Sequence, residues 1–346
     1  MRVRSKLGWG LGLTGTALLA RIRRAASAAE SGKAALATDA ELSLPEDLLH
    51  HRVATDDGGE VHVIEKGDVG SPVLLVHGFS LTSAVWAYQL WDISTSHRVL
   101  AVDQRGHGRS RSGSDPKSVS RLGQDLLNVL ENLDIKGAVV VGHSMGSMAV
   151  LKMLSEHAGV IGDRVSGAVL LSASGGPMAK LPGWNRSSDR LGLAGAAAMA
   201  RAGERLSTSP AGSYIATRAV FGRRPVPAHV EMARELMSQA TPEVQSELLG
   251  PVLGFDVSVS LGSIALPVLV VAGTKDRLTP PRHAQRLAGA LPDARLRRFP
   301  GCGHMAMLER RWEVDGAIEA FALAVSGSPR APGGERAADR VPGSQT

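Results

Sequence analysis

The stretch Gly142-His143-Ser144-Met145-Gly146 constrains this chain more than any other. It follows the apolar run Ala138-Val139-Val140-Val141. A buried strand that runs into a serine between glycines describes a sharp strand-to-helix turn with the serine at its apex. Glycines two before and two after keep side chains from colliding around a tight backbone. The hydroxyl then stands clear of the sheet. The pentapeptide alone also fits an ordinary Gly/Ser turn. What separates the readings is whether the rest of the chain supplies a base, an orienting acid and donors for an anion.

The surrounding pattern supplies an α/β frame. Short runs rich in Val and Leu lie at Val61 to Ile64, Val73 to Val76, Arg98 to Val102, Ala138 to Val141, Ala168 to Leu171 and Val268 to Ala272, with a further strand over Ala294 to Phe299. Most suit strands buried on both faces of a parallel sheet. Helical spacing appears over Ser118 to Leu133, Ser144 to His157, Pro281 to Leu291 and Glu309 to Val325. Strands alternating with helices imply a doubly wound, mostly parallel sheet. The alternation breaks over 175–262. Only helical stretches occur there: Leu191 to Arg205, Tyr214 to Phe221, Val226 to Ala240 and Pro242 to Leu249. The expected organisation is a leader and linker over 1–45, a core over 46–174 and 263–325, a helical insertion over 175–262 and a disordered tail over 326–346.

Two later segments complete a catalytic set. Asp276 follows the strand Val268 to Ala272. His304 stands in Pro300-Gly301-Cys302-Gly303-His304, where the glycines shape a turn that can aim an imidazole. The order Ser, Asp, His, together with His77-Gly78-Phe79 and Asp103-Gln104-Arg105-Gly106-His107-Gly108, resembles the α/β-hydrolase superfamily over about residues 50 to 325. The resemblance implies Ser144 as nucleophile, His304 as base and Asp276 as orienter. It implies the backbone N–H groups of Phe79 and Met145 as the oxyanion hole, and the helical insertion as a cap. Asp256 and Asp103 are weaker candidates for the orienter, and Asp103 looks like part of a structural turn. Ser147 stands where many members carry a third glycine. Epoxide hydrolases and haloalkane dehalogenases carry Asp at the elbow, so Ser144 speaks against them.

The expected activity is hydrolysis of a carboxylic ester with an apolar acyl or alcohol part. The same triad also serves carbon–carbon or amide hydrolysis, acyl transfer and perhydrolysis. A ligand-binding protein without turnover is the non-enzymatic alternative. No cofactor is expected. The histidines lack metal-ligand spacing, and His50, His51, His62 and His97 read as surface residues. Cys302 is the only cysteine, so no intramolecular disulfide forms. It lacks an exposing turn and reads as turn filler, not as a nucleophile.

The net charge of +6 resides in the leader, where seven basic residues over 1–33 oppose only Glu30. The rest is balanced, which speaks against a nucleic-acid partner. Leu7 to Ala20 is apolar with basic residues on both sides. It is too short to cross a bilayer, so peripheral membrane contact through residues 1–33 of a cytoplasmic protein is the leading expectation. The alternatives are an export signal cut near Ala26-Ser27-Ala28 and a disordered leader.

Overall fold

The computed structural model describes residues 8–177 and 209–326, and within them the side chains from residue 20 onward except that of Pro210. The expected helix over Leu191 to Arg205 and the tail beyond 326 lie outside the described residues. Eight strands form one sheet: β1 (Leu49–Ala54), β2 (Glu60–Lys66), β3 (Val73–Val76), β4 (Val99–Val102), β5 (Ala138–His143), β6 (Val165–Leu171), β7 (Val268–Gly273) and β8 (Ala294–Phe299). Their order is β1-β2-β4-β3-β5-β6-β7-β8. The β1–β2 and β2–β4 pairs are antiparallel, and every pair from β4 to β8 is parallel. The doubly wound sheet is therefore present.

The central strands show why their apolar runs are continuous. Leu74, Val76, Val140 and Leu170 pack beneath α3 (Val119–Asn132), α4 (Met145–Glu156) and α8 (Pro281–Ala290). Val73, Leu75, Val139 and Val141 face the opposite layer, with α2 (Ala87–Asp92) and α10 (Arg311–Ser326). Successive residues point to opposite faces, so a strand covered on both sides must be apolar throughout. The edges differ. β1 reads Leu-His-His-Arg-Val-Ala and is mostly exposed, and β8 carries three arginines. Charged edges discourage pairing with another chain.

Three described helices fall between β6 and β7: α5 (Pro210–Arg218), α6 (Pro227–Gln239) and α7 (Pro242–Leu253). Each has proline in its first turn, where the missing N–H costs nothing. The leader joins this group. Residues Gly8–Thr38 form one helix, α1, which packs against α5 and α6. Ala25, Ala29 and Gly32 make its buried stripe, and a Cβ on Gly32 would lie 2.7 Å from Pro227 O. The stripe lies at helical spacing of three and four residues. Ala26 to Ala28 sit within this packed stretch. After α1, Glu41 and the α2 residue Asp92 both pair with Arg311 of α10, at 2.5 Å each. The short helix α9 (Ala306–Glu309) precedes α10.

Arg105 ties the turn after β4 to the core. Its guanidinium, 1% exposed, forks onto Asp57 and Asp125, with contacts from 2.6 to 2.9 Å. Arg105 holds the Asp57 carboxyl far below the usual range. Removing one member of such a set leaves buried charge uncompensated. Arg105→Met should therefore lower unfolding free energy in urea by about 3–5 kcal/mol. A loss under about 1 kcal/mol would mean that the carboxylates find other partners.

Candidate active site

The loops at the carboxyl ends of β3, β5, β7 and β8 converge. β5 ends at His143 and α4 begins at Met145, so Ser144 alone makes the turn. Its φ of 52° and ψ of −114° lie where a side chain is strained, typically by about 1–3 kcal/mol. Close approach explains both glycines. A Cβ on Gly142 would come within 2.6 Å of Ser147 Cα, and one on Gly146 within 2.3 Å of Val76 O. The Ser144 N–H donates to Leu171 O of β6 at 2.9 Å. Ser147 keeps its place by donating to Gly142 O at 2.7 Å.

Asp276 and His304, distant in sequence, meet directly. His304 Nδ1 lies 2.8 Å from Asp276 Oδ2. A carboxylate can only accept here, so Nδ1 carries the proton and Nε2 is left as the acceptor. Asp276 Oδ1 also accepts the N–H groups of Leu278 and Thr279, both at 2.9 Å, and Thr279 Oγ1 lies 2.8 Å from Oδ2. Burial alone would raise the Asp276 carboxyl. His304 and the Thr279 donors outweigh it and hold the group ionised below its ordinary range. The backbone of His304 is fixed on both sides. Its carbonyl accepts from His143 Nε2 at 3.0 Å and Ser172 Oγ at 2.9 Å, and its N–H donates to Val220 O at 2.8 Å.

The loop after β3 rests on buried histidines. His77 Nδ1 donates to Gly78 O at 2.7 Å, while Nε2 accepts the Gln104 N–H at 2.9 Å. His107 Nε2 accepts the Ser80 N–H at 3.3 Å. A Cβ on Gly78 would lie 2.7 Å from His143 Nδ1. Between these supports stands Phe79. Met145 lies in the first turn of α4, where an N–H has no partner within the helix and the helix field favours an anion.

The remaining candidates fall elsewhere. Asp103 accepts from His62 Nδ1 at 2.9 Å, Ser83 N at 2.7 Å and Arg109 N at 3.0 Å. Burial pushes its carboxyl up, but these donors bring it down to about 2. Exposed Asp256 accepts from Ser258 within its own turn. Cys302 is buried, and burial with the Glu309 charge raises its thiol, which makes thiolate chemistry unfavourable. Two histidines correct the surface reading: His62 and His97 are buried, at 3% and 4% exposure. Each lies beside polar partners on the sheet or its flanking loops, a setting that residue type alone does not reveal. Sequence reasoning also missed Thr279, Ser172 and Glu309. Only Thr279 left a local trace, as Asp-x-x-Thr is a turn in which Asp accepts from following N–H groups. Among the described residues, no group of three or more His, Cys, Asp or Glu is placed to hold a metal ion.

A strained serine before a helix and an Asp–His pair at one sheet edge define a hydrolase-type site. A model for the alpha/beta hydrolase fold matches residues 71–311, and the chain belongs to that family. It is 32% identical over 240 residues to "Putative carbamate hydrolase RutD" of Caulobacter sp. (strain K31), covering 67% of this chain and 83% of that protein. It is 30% identical over 273 residues to the "Non-heme chloroperoxidase" of Streptomyces lividans, covering 76% and 95%. The solved structure titled "Est816 as an N-Acyl homoserine lactone degrading enzyme" superposes with a TM-score of 0.65 at 26% identity, over 78% of this chain and all of that one.

The buried histidines have a consequence for stability. Burial lowers His77 and His143 to about 3, so the folded protein holds both neutral. The unfolded chain protonates them below about 6.5, so it binds more protons there and stability falls with pH. Each should contribute a slope of about 1.4 kcal/mol per pH unit from about pH 6 toward 4. Urea unfolding of His143→Gln should show a slope shallower by about one proton. An unchanged slope would mean that His143 is charged in the fold or is already satisfied when unfolded.

Proposed function

We propose that this protein is a serine hydrolase cleaving a carboxylic ester with an apolar acyl or alcohol part. The Asp276–His304 contact carries the reading, since it leaves a free imidazole acceptor at the edge where Ser144 is presented. Ser144 Oγ attacks the ester carbonyl as its proton passes to His304 Nε2. The backbone N–H groups of Phe79 and Met145 receive the oxyanion, and each such donor is worth about 3 kcal/mol in the transition state. The tetrahedral species collapses by breaking the ester C–O bond. His304 returns the proton to the departing alcohol, leaving an acyl group on Ser144. Water then attacks the acyl carbon, His304 takes its proton, and the acid departs as Ser144 is reprotonated. Asp276 orients the ring and stabilises the imidazolium throughout.

The helices between β6 and β7 serve in this reading as a cap that selects the substrate. The carbamate hydrolase relative makes carbamates and amides the first alternatives to test beside esters. Nitrophenyl esters should be turned over, and Ser144→Ala should lose ~10⁴-fold or more in kcat. Full activity in that variant would refute the mechanism. Labelling of Ser144 by a fluorophosphonate provides the covalent counterpart.

We further infer that the leader binds an anionic membrane surface. Arg21, Ile22, Arg23 and Arg24 are all exposed. Four successive helical residues cover the whole circumference, so every side of α1 carries an exposed side chain there. That exposure supports residues before Ala25 as the part of the leader that meets the membrane. Among the described residues, no helix is long and apolar enough to cross a membrane. Deleting residues 1–20 should move the protein off anionic vesicles with ester turnover retained. Unchanged sedimentation with the vesicles would sink this reading.

A further inference from the structure

His304 is held in place from outside its own loop. Residues Val220 to Arg223, which follow α5, lie against residues 301–304 with backbone facing backbone. His304 N–H donates to Val220 O at 2.8 Å, and Arg223 N–H donates to Gly301 O at 3.1 Å. There is no room between the two segments. A Cβ on Gly222 would lie 2.1 Å from Gly301 O, and one on Gly303 2.4 Å from Gly222 N. Glu309 closes the junction. Its Oε2 accepts the Gly222 N–H at 2.7 Å, and its Oε1 accepts the Gly303 N–H at 2.9 Å. One carboxylate thereby satisfies an N–H on each side of the backbone contact. Arg218 stiffens the far side by donating to Gly222 O at 2.8 Å and Arg223 O at 2.9 Å.

We propose that Glu309 is a positioning residue for His304, stapling the histidine loop to the inserted segment so that the insertion helps to set where the imidazole stands. The proposal rests on the reading of His304 as the base. Glu309 touches neither the imidazole nor Ser144. It acts through the Gly303 peptide, one residue from His304. Both carboxylate oxygens are required, because each accepts the N–H of a buried glycine. A glutamine of the same size keeps one acceptor and turns an NH₂ against the other N–H. Unpaired, that N–H would open the junction and let the ring move. Misplacement of a catalytic group by about 1 Å costs about 10²-fold in rate.

The test uses the full-length protein with ¹⁵N-labelled histidine. The proton shared between His304 Nδ1 and Asp276 should give a low-field resonance, assigned by its loss in His304→Gln. In Glu309→Gln this resonance should broaden or vanish, kcat for a nitrophenyl ester should fall about 10²-fold, and KM should stay within about twofold. Gly222→Ala, which wedges the junction from the insertion side, should act alike and serves if Glu309→Gln folds poorly. A resonance and kcat unchanged in folded Glu309→Gln would overturn the proposal. A resonance unchanged with kcat lowered would overturn it too, since the ring would not have moved. Failure of the hydrolase reading shows separately, as Ser144→Ala with undiminished turnover, and the His304 resonance still decides the role of Glu309.

Discussion

The backbone at Ser144 is the constraint on which the site depends. A positive φ at a serine is unfavourable by itself, and the fold imposes it from several directions. β6 accepts the Ser144 N–H, Ser147 fills the bend, and Gly146 lies against the carbonyls of Val76 and His77. Strand β3 and helix α4 could not approach so closely with any side chain at Gly146. The strain is therefore spread over contacts among three strands and a helix, which explains why the turn stands at the centre of the sheet.

Around that turn, polarity is managed by histidines kept neutral. His77, His107 and His143 are buried, and burial lowers all three. A neutral imidazole offers one donor and one acceptor. His77 uses both, donating to Gly78 O and accepting from Gln104 N–H, so it links the β3 loop to the turn after β4. His143 donates to the His304 carbonyl and so links the turn at Ser144 to the His304 loop. A charged side chain in these positions would need solvation that the interior cannot provide. The site is thus assembled from short loops that hold one another through these bonds.

The leader and the insertion enlarge this picture. α1 packs on α5 and α6, the segment after α5 holds the His304 loop, and Arg311 gathers Glu41 and Asp92 at the base of α1. A stretch that reads as a separate leader is in its second half part of the folded body. Its apolar contacts use alanine and glycine, which carry little hydrophobic signal along the sequence but allow helices to approach closely.

The sequence by itself determined the alternation of strands and helices, the elbow and the chain order of Ser144, Asp276 and His304. These are local: apolar runs buried on both faces, and glycines that a tight turn demands. The runs at Val73 to Val76 and Ala294 to Phe299 coincide with β3 and β8. β1 escaped notice because an exposed edge strand needs no apolar run, and His62 and His97 escaped because burial of a histidine depends on partners far along the chain. Only the tertiary structure decided that Asp276, and not Asp103 or Asp256, meets His304. It alone placed Thr279 on that carboxylate and Glu309 between Gly222 and Gly303. The physical reason is that a hydrogen bond reports distance in space, and residues 276 and 304, or 222 and 303, become neighbours only once the sheet has brought its carboxyl edge together.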